Sequence, residues 1–164
     1  MKKSNYVLVT AMFVLFGGGL VWAQNTGTPA PLTGRDYEEI KALYARYNQG
    51  SDFRDTELFL SAFAEDAVMT RGGRDIVGMD ALRADRAERY QGETGDVGRR
   101  HLNGSYLITP TEQGAFSRTY WFLLDVTVRP STVVASGYYE DNFVRTEAGW
   151  RIGHRTLFSD SAGQ

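Results

Sequence analysis

The chain has two histidines in 164 residues, His101 and His154. Imidazole is the side chain whose unperturbed pKa lets it take and return a proton near neutrality. His101 is therefore the first place to look for acid–base chemistry. It stands in Arg99-Arg100-His101-Leu102-Asn103-Gly104, at the head of a strand-like run, where the two-residue period of a strand can aim it inward. A histidine base needs a second group to hold its ring and to fix which nitrogen carries the proton. Asp52, in Gly50-Ser51-Asp52-Phe53, is the candidate. Such a pair abstracts a proton beside an electron-withdrawing group, as an elimination or an isomerisation requires. Tyr47 and Tyr138 have hydroxyls able to donate to a developing enolate oxygen, and an inward-facing Arg118 would demand an anionic substrate group. Each of these residues also has an ordinary structural use. His101 fits a strand edge bonded to a carbonyl, Asp52 an Asx turn, the tyrosines a core ring with a wet hydroxyl, and Arg118 a surface charge.

Other chemistries find no residues. Cysteine is absent, which excludes thiol nucleophiles, thiolate metal sites and disulfides. The histidines make no HxH, HxxxH or HExxH spacing, so no metal is expected. Arg71-Gly72-Gly73-Arg74 lacks the lysine and helix of a phosphate loop, and no serine elbow occurs. Gly92, Gly95 and Gly98 lie in a charged connector rather than a dinucleotide fingerprint, so no cofactor is expected either. His154 shares strand parity with Trp150 and Ile152, which predicts a packed residue of the last strand.

Residues 1–23 read as a signal peptide. Lys2 and Lys3 precede an uncharged run from Tyr6 to Leu20, and Val21-Trp22-Ala23 supplies small residues at the cleavage positions. That run falls short of the ~20 apolar residues of a spanning helix, so export to the periplasm or medium is expected, with no stable membrane span after cleavage. Losing the two lysines takes the formal net charge from -2 to −4, which argues against nucleic acid as a partner. Residues 24–31 form a polar, flexible leader, and one domain follows over residues 32–160.

The elements that must position the pair can be read next. Thr33 and Asp36 make a capping box for a first helix, whose apolar stripe is Tyr37, Ile40, Leu43, Tyr44 and Tyr47. Gly50 is expected to end it as a left-handed cap. Asp55 caps a second helix over Thr56–Phe63. A short strand at Ala67–Thr70, a tight turn and a return strand at Asp75–Val77 lead to a third helix, roughly Asp80 to Tyr90. His101–Thr109, Ala115–Val128, Ser131–Arg145 and Trp150–Phe158 then read as four antiparallel strands with short turns. Strands this long twist or bend, with Gly137 as the expected bend point. The class is α+β, with three N-terminal helices packed on a curved mixed or antiparallel sheet.

From Thr33 to Phe158 the chain resembles the SnoaL-like branch of the NTF2-like superfamily. The resemblance rests on the helix Tyr37–Tyr47, on Asp52, on Leu58–Ala67 and Gly78–Leu82, on His101, and on the closing Gly149–Arg155. It implies a cystatin-like cone of curved sheet around a helix. Members include dehydratases, isomerases, cyclases and proteins without known activity. In the scytalone dehydratase-like branch an aspartate follows the first helix and a histidine opens the strand after the third helix. Asp52 and His101 fall on those places. The branch's second catalytic histidine has no counterpart in Ala115–Val128. The resemblance implies a small-molecule lyase or isomerase using an Asp–His dyad in a pocket. The alternative is a non-catalytic binding module for a small apolar ligand. A third reading is a structural unit whose long, aromatic-rich strands bury their outer face in a homodimer or homotrimer, and the sequence selects neither.

Overall fold

Thr33 starts the first helix as its capping box predicts: its Oγ1 accepts the Asp36 N–H, and its own N–H donates to Asp36 Oδ2 at 2.8 Å. The computed structural model describes residues 28–91 and 98–160. The expected signal peptide, the first part of the expected leader and most of the glycine-rich connector lie outside the described residues.

Helix α1, Gly34–Asp52, is longer than expected. Ile40, Leu43, Tyr44 and Tyr47 are buried along its stripe, but Gly50 is helical rather than a left-handed cap. Its role is close approach: a Cβ there would stand 2.6 Å from the Phe59 Cα of the next helix. The chain leaves the helix only at Phe53 and Arg54, where Arg54 takes the left-handed conformation (φ 58). Asp52 is thus a helical residue and not part of a loop. Helix α2, Thr56–Leu60, is capped by Asp55 Oδ1, which accepts the Leu58 N–H at 2.9 Å. It is shorter than expected because Phe63 already begins a strand.

Strands β1 (Phe63–Arg71) and β2 (Arg74–Val77) form a hairpin, and helix α3 (Gly78–Arg89) follows. Strands β3 (Arg99–Thr111), β4 (Gly114–Asp125), β5 (Thr132–Thr146) and β6 (Gly149–Ser159) complete one six-stranded sheet. Its order is β2-β1-β6-β5-β4-β3, with β1 parallel to β6 and every other pair antiparallel. The expected curved cone is therefore corrected. The sheet is open and not curled, with β2 and β3 as its two ends. The β1–β2 hairpin adds to the edge of β6 and extends the ladder sideways, with β1 and β2 beside α3 and with β3 and β6 beside α1. Gly137 is no bend either. It pairs in register with Trp121 and Ser159, and its missing side chain makes room for the Trp121 indole.

One face of the sheet carries the core. Ser117, Thr119 and Trp121 of β4, Tyr139, Asp141 and Phe143 of β5, and Ile152 and Arg155 of β6 are buried there against α1. Register shifts decide which residues reach it. In β6 Gly153 is skipped, since Phe143 pairs with Ile152 while Asn142 pairs with His154. This bulge reverses the parity and gives the inner place to Arg155.

Candidate active site

Asp52 is the last residue of α1 and Asn48 stands one turn before it, so both project from the same helix face. His101 and Asn103 share one face of β3 in the same way. The two pairs meet as successive rungs. His101 Nδ1 lies 2.5 Å from Asp52 Oδ1, and Asn48 Nδ2 lies 2.5 Å from Asn103 Oδ1. A third contact continues the match. Ser105 takes a left-handed conformation (φ 54) at a register shift in β3, and Tyr106 then meets Tyr44 edge-on at 5.2 Å.

Asp52 does more than orient a ring. Its second oxygen accepts the His101 backbone N–H at 3.0 Å. Because β3 is an end strand, its outward N–H groups have no partner strand, and the carboxylate satisfies one of them. The Asp52 side chain is 4% exposed and that of His101 13%. An ionised carboxylate only accepts, so Nδ1 carries the hydrogen of this contact, and in the neutral imidazole Nε2 is then the nitrogen with the lone pair. No other described residue is hydrogen-bonded to Nε2.

Of the other candidate residues, Tyr47 is beside the pair. It is buried, with its ring edge-on to His101 at 6.4 Å and to Tyr139 at 5.7 Å. Tyr138 and Arg118 lie on the opposite face of the sheet. Tyr138 stacks on Phe158 at 4.6 Å, and Arg118 is half-exposed and paired with Glu140 Oε1. Neither can reach the Asp52–His101 pair. His154, expected to pack inward, sits on the other side of the Gly153 bulge, where Nε2 lies 3.0 Å from Thr70 Oγ1.

The polar residues that do share the buried face with Tyr47 were not singled out from the sequence. Arg155 is fully buried and forked onto Asp141, Nε to Oδ1 at 2.7 Å and Nη2 to Oδ2 at 2.9 Å. Burial opposes the Arg155 charge, and the Asp141 carboxylate more than offsets it, so the guanidinium is held more firmly protonated than usual. Its charge faces the rings of Tyr139, Tyr47 and Tyr44 at 4.1, 4.2 and 5.0 Å. The Tyr44 hydroxyl donates to Asp141 Oδ2 at 2.6 Å and accepts from Ser117 Oγ, also at 2.6 Å. Burial first, and then the Asp141 charge, push the Tyr44 phenol up, so it stays a donor. The sequence held one signal for this network. Gly153 inside a strand pattern marks a bulge, and a bulge brings Arg155 inward.

Among the described residues no group of three or more His, Asp or Glu side chains could hold a metal ion.

Comparison with known proteins places the fold. The model of the SnoaL-like domain matches residues 33–156. No curated protein sequence matches. Among solved structures, an NTF2-like protein with a cystatin-like fold from Novosphingobium aromaticivorans is 27% identical, with a TM-score of 0.65 over 78% of this chain and 85% of that one. A protein from Catenulispora acidiphila in complex with S-DNPA is 24% identical, with a TM-score of 0.69 over 79% and 97%. A candidate scytalone dehydratase from Novosphingobium aromaticivorans is 20% identical, with a TM-score of 0.63 over 76% and 84%. The chain belongs to the SnoaL-like domain family and has its NTF2-like, cystatin-like fold.

Proposed function

We propose that the chain is a cofactor-independent acid–base catalyst, a lyase or isomerase acting on a small molecule through Asp52 and His101. One observation carries the reading: a single carboxylate holds both the ring Nδ1 and the backbone N–H of His101, at 2.5 and 3.0 Å. That double grip fixes the ring and its tautomer and leaves Nε2 as the base. Nε2 takes a proton from a carbon beside a carbonyl, and the C–H electrons flow into an enolate. The imidazolium, stabilised by Asp52, then returns the proton. Given to a hydroxyl on the next carbon, it completes the loss of water; given to another carbon, it completes an isomerisation. Tyr47 is the neighbouring hydroxyl for the enolate oxygen. The similarity to a candidate scytalone dehydratase supports the lyase class, and the S-DNPA complex of another similar protein supports a small-molecule ligand.

The test starts from ligands carried through purification, identified by mass spectrometry and offered as substrates. His101→Ala and Asp52→Asn are each expected to lower turnover by about 10²–10⁴-fold, the usual worth of a positioned acid or base, with melting temperatures near wild type. Full activity in both variants sinks the dyad. A ligand held tightly but never turned over by the wild-type chain would favour the binding-module alternative.

The same reading has the protein exported, with cleavage before Gln24, and self-associating as a homodimer or homotrimer. Exposed Leu102, Leu107, Tyr120 and Phe122 on the outer face of β3 and β4 support the second part. A monomer in sedimentation, or a mature chain still beginning at Met1, would remove the corresponding part. Among the described residues no helix is long and apolar enough to cross a membrane.

A further inference from the structure

A second site lies away from the dyad. Between α1 and the β5–β6 turn runs a cleft of about 840 Å³ whose walls include neither Asp52 nor His101. Its size suits a small organic molecule. Arg46 of α1 and Arg151 of β6 both line it, and Arg151 also borders an adjoining cleft of about 610 Å³. Both side chains are half-buried. Each is tied by one nitrogen to a main-chain carbonyl: Arg46 Nη1 donates to Ser61 O at 3.4 Å and Arg151 Nη1 to Trp150 O at 2.7 Å. Neither has an ion-pair partner among the described residues.

The carboxylates of the same cleft are mostly paired with other residues of its walls. Asp36 receives Thr33, Trp150 and Arg145, and Glu39 pairs with Arg35. Glu147, exposed on the β5–β6 turn, is the one left to compete. The cost of this arrangement is visible at Arg151, where burial, and then the charge of Arg46, push the guanidinium below its ordinary value. Two guanidinium forks anchored to the backbone, with N–H groups to spare and facing one cleft, match the acceptors of an oxyanion. An anion between them would also remove their mutual repulsion.

We propose that Arg46 and Arg151 form a binding site for the carboxylate or phosphate group of a small molecule, separate from the Asp52–His101 pair. This site does not depend on the dyad's chemistry.

The experiment titrates the full chain with inorganic phosphate and, in parallel, with acetate, at ionic strength matched with sodium chloride. Binding is followed by calorimetry in the wild type, Arg46→Gln, Arg151→Gln and Glu147→Gln. The bound anion's dissociation constant should rise about tenfold in either arginine variant, the loss of one charge-assisted contact, and fall in Glu147→Gln. Phosphate bound in preference to acetate marks a phosphate ligand, and the reverse marks a carboxylate. Equal affinity across the wild type and both arginine variants, or no binding of either anion, overturns the site. A second readout needs no variant. In the wild type the Arg46 and Arg151 Nε–H resonances should move during the titration, and their staying fixed also overturns the proposal.

Discussion

Asp52 has two duties that substitutions can separate. It orients the His101 ring, and it satisfies a main-chain N–H on the free edge of β3. Asp52→Asn keeps an oxygen for the backbone N–H, but its amide can donate to the ring and so reverses the tautomer that Nε2 chemistry needs. Asp52→Ala leaves the N–H and the ring nitrogen buried without a partner, and such orphaned groups cost about 1–3 kcal/mol. Urea denaturation should therefore rank the alanine variant about 1–3 kcal/mol below the asparagine variant, while turnover is lost in both. Equal stability of the two would mean that Asp52 does not hold the strand edge. The neighbouring rung is less completely satisfied. Asn103 Nδ2 faces the Tyr120 carbonyl, so Asn103 Oδ1 must face Asn48 Nδ2, and Asn48 Oδ1 remains buried without a hydrogen bond among the described residues.

The elements that bring these residues together were legible in the sequence to different depths. The capping box, the apolar stripe of α1 and the four long strands follow from spacing alone. The pair Asp52 and His101 is suggested by side-chain type and by the resemblance, which implies an aspartate after the first helix and a histidine at the head of the strand after the third. What the sequence hid was parity. One skipped residue at Gly153 exchanges the faces of His154 and Arg155, and a period-two reading carried past it is reversed from that point on. Tyr138 and Arg118 were placed by side-chain type, and the uninterrupted register of β4 and β5 around them turns both outward. Gly50 misled in another way, because a glycine near a helix end fits a cap as well as a close approach. The two roles predict different outcomes. At a left-handed cap, Gly50→Ala would cost about 1–2 kcal/mol, the penalty of a Cβ in that conformation. At this close approach the added methyl meets the Phe59 backbone, which cannot move without displacing α2, so the loss should be on the order of 3 kcal/mol or more. Chemical denaturation against Gln49→Ala, an exposed helical control, decides between them.

Across the whole molecule, an open sheet has to be fixed to its helices without the help of closure, and buried carboxylates do much of this. Asp36 joins the start of α1 to β5 and β6 through Arg145 and Trp150, Asp52 joins its end to β3, and Asp85 joins α3 to Arg71 of β1. The hydrogen bond from Trp150, followed by those from Thr33, holds the Asp36 carboxyl well below the usual range. At Asp85 burial pulls upward, but Arg86 and Arg71 prevail and lower it. A carboxylate more acidic in the folded chain than in the unfolded one stabilises the fold above the unfolded value of about 4, and that share is lost as pH falls toward the folded value. The urea midpoint should therefore hold steady from neutrality down to about pH 5 and then drop below about pH 4. Asp36→Asn removes one of the titrating groups. It should lower stability at neutral pH and make the acid-side decline shallower than in wild type. A parallel decline in the two proteins would show that the Asp36 anchor contributes nothing through its charge, leaving the Trp150 hydrogen bond and the packing of α1 on the sheet to fix that end of the helix.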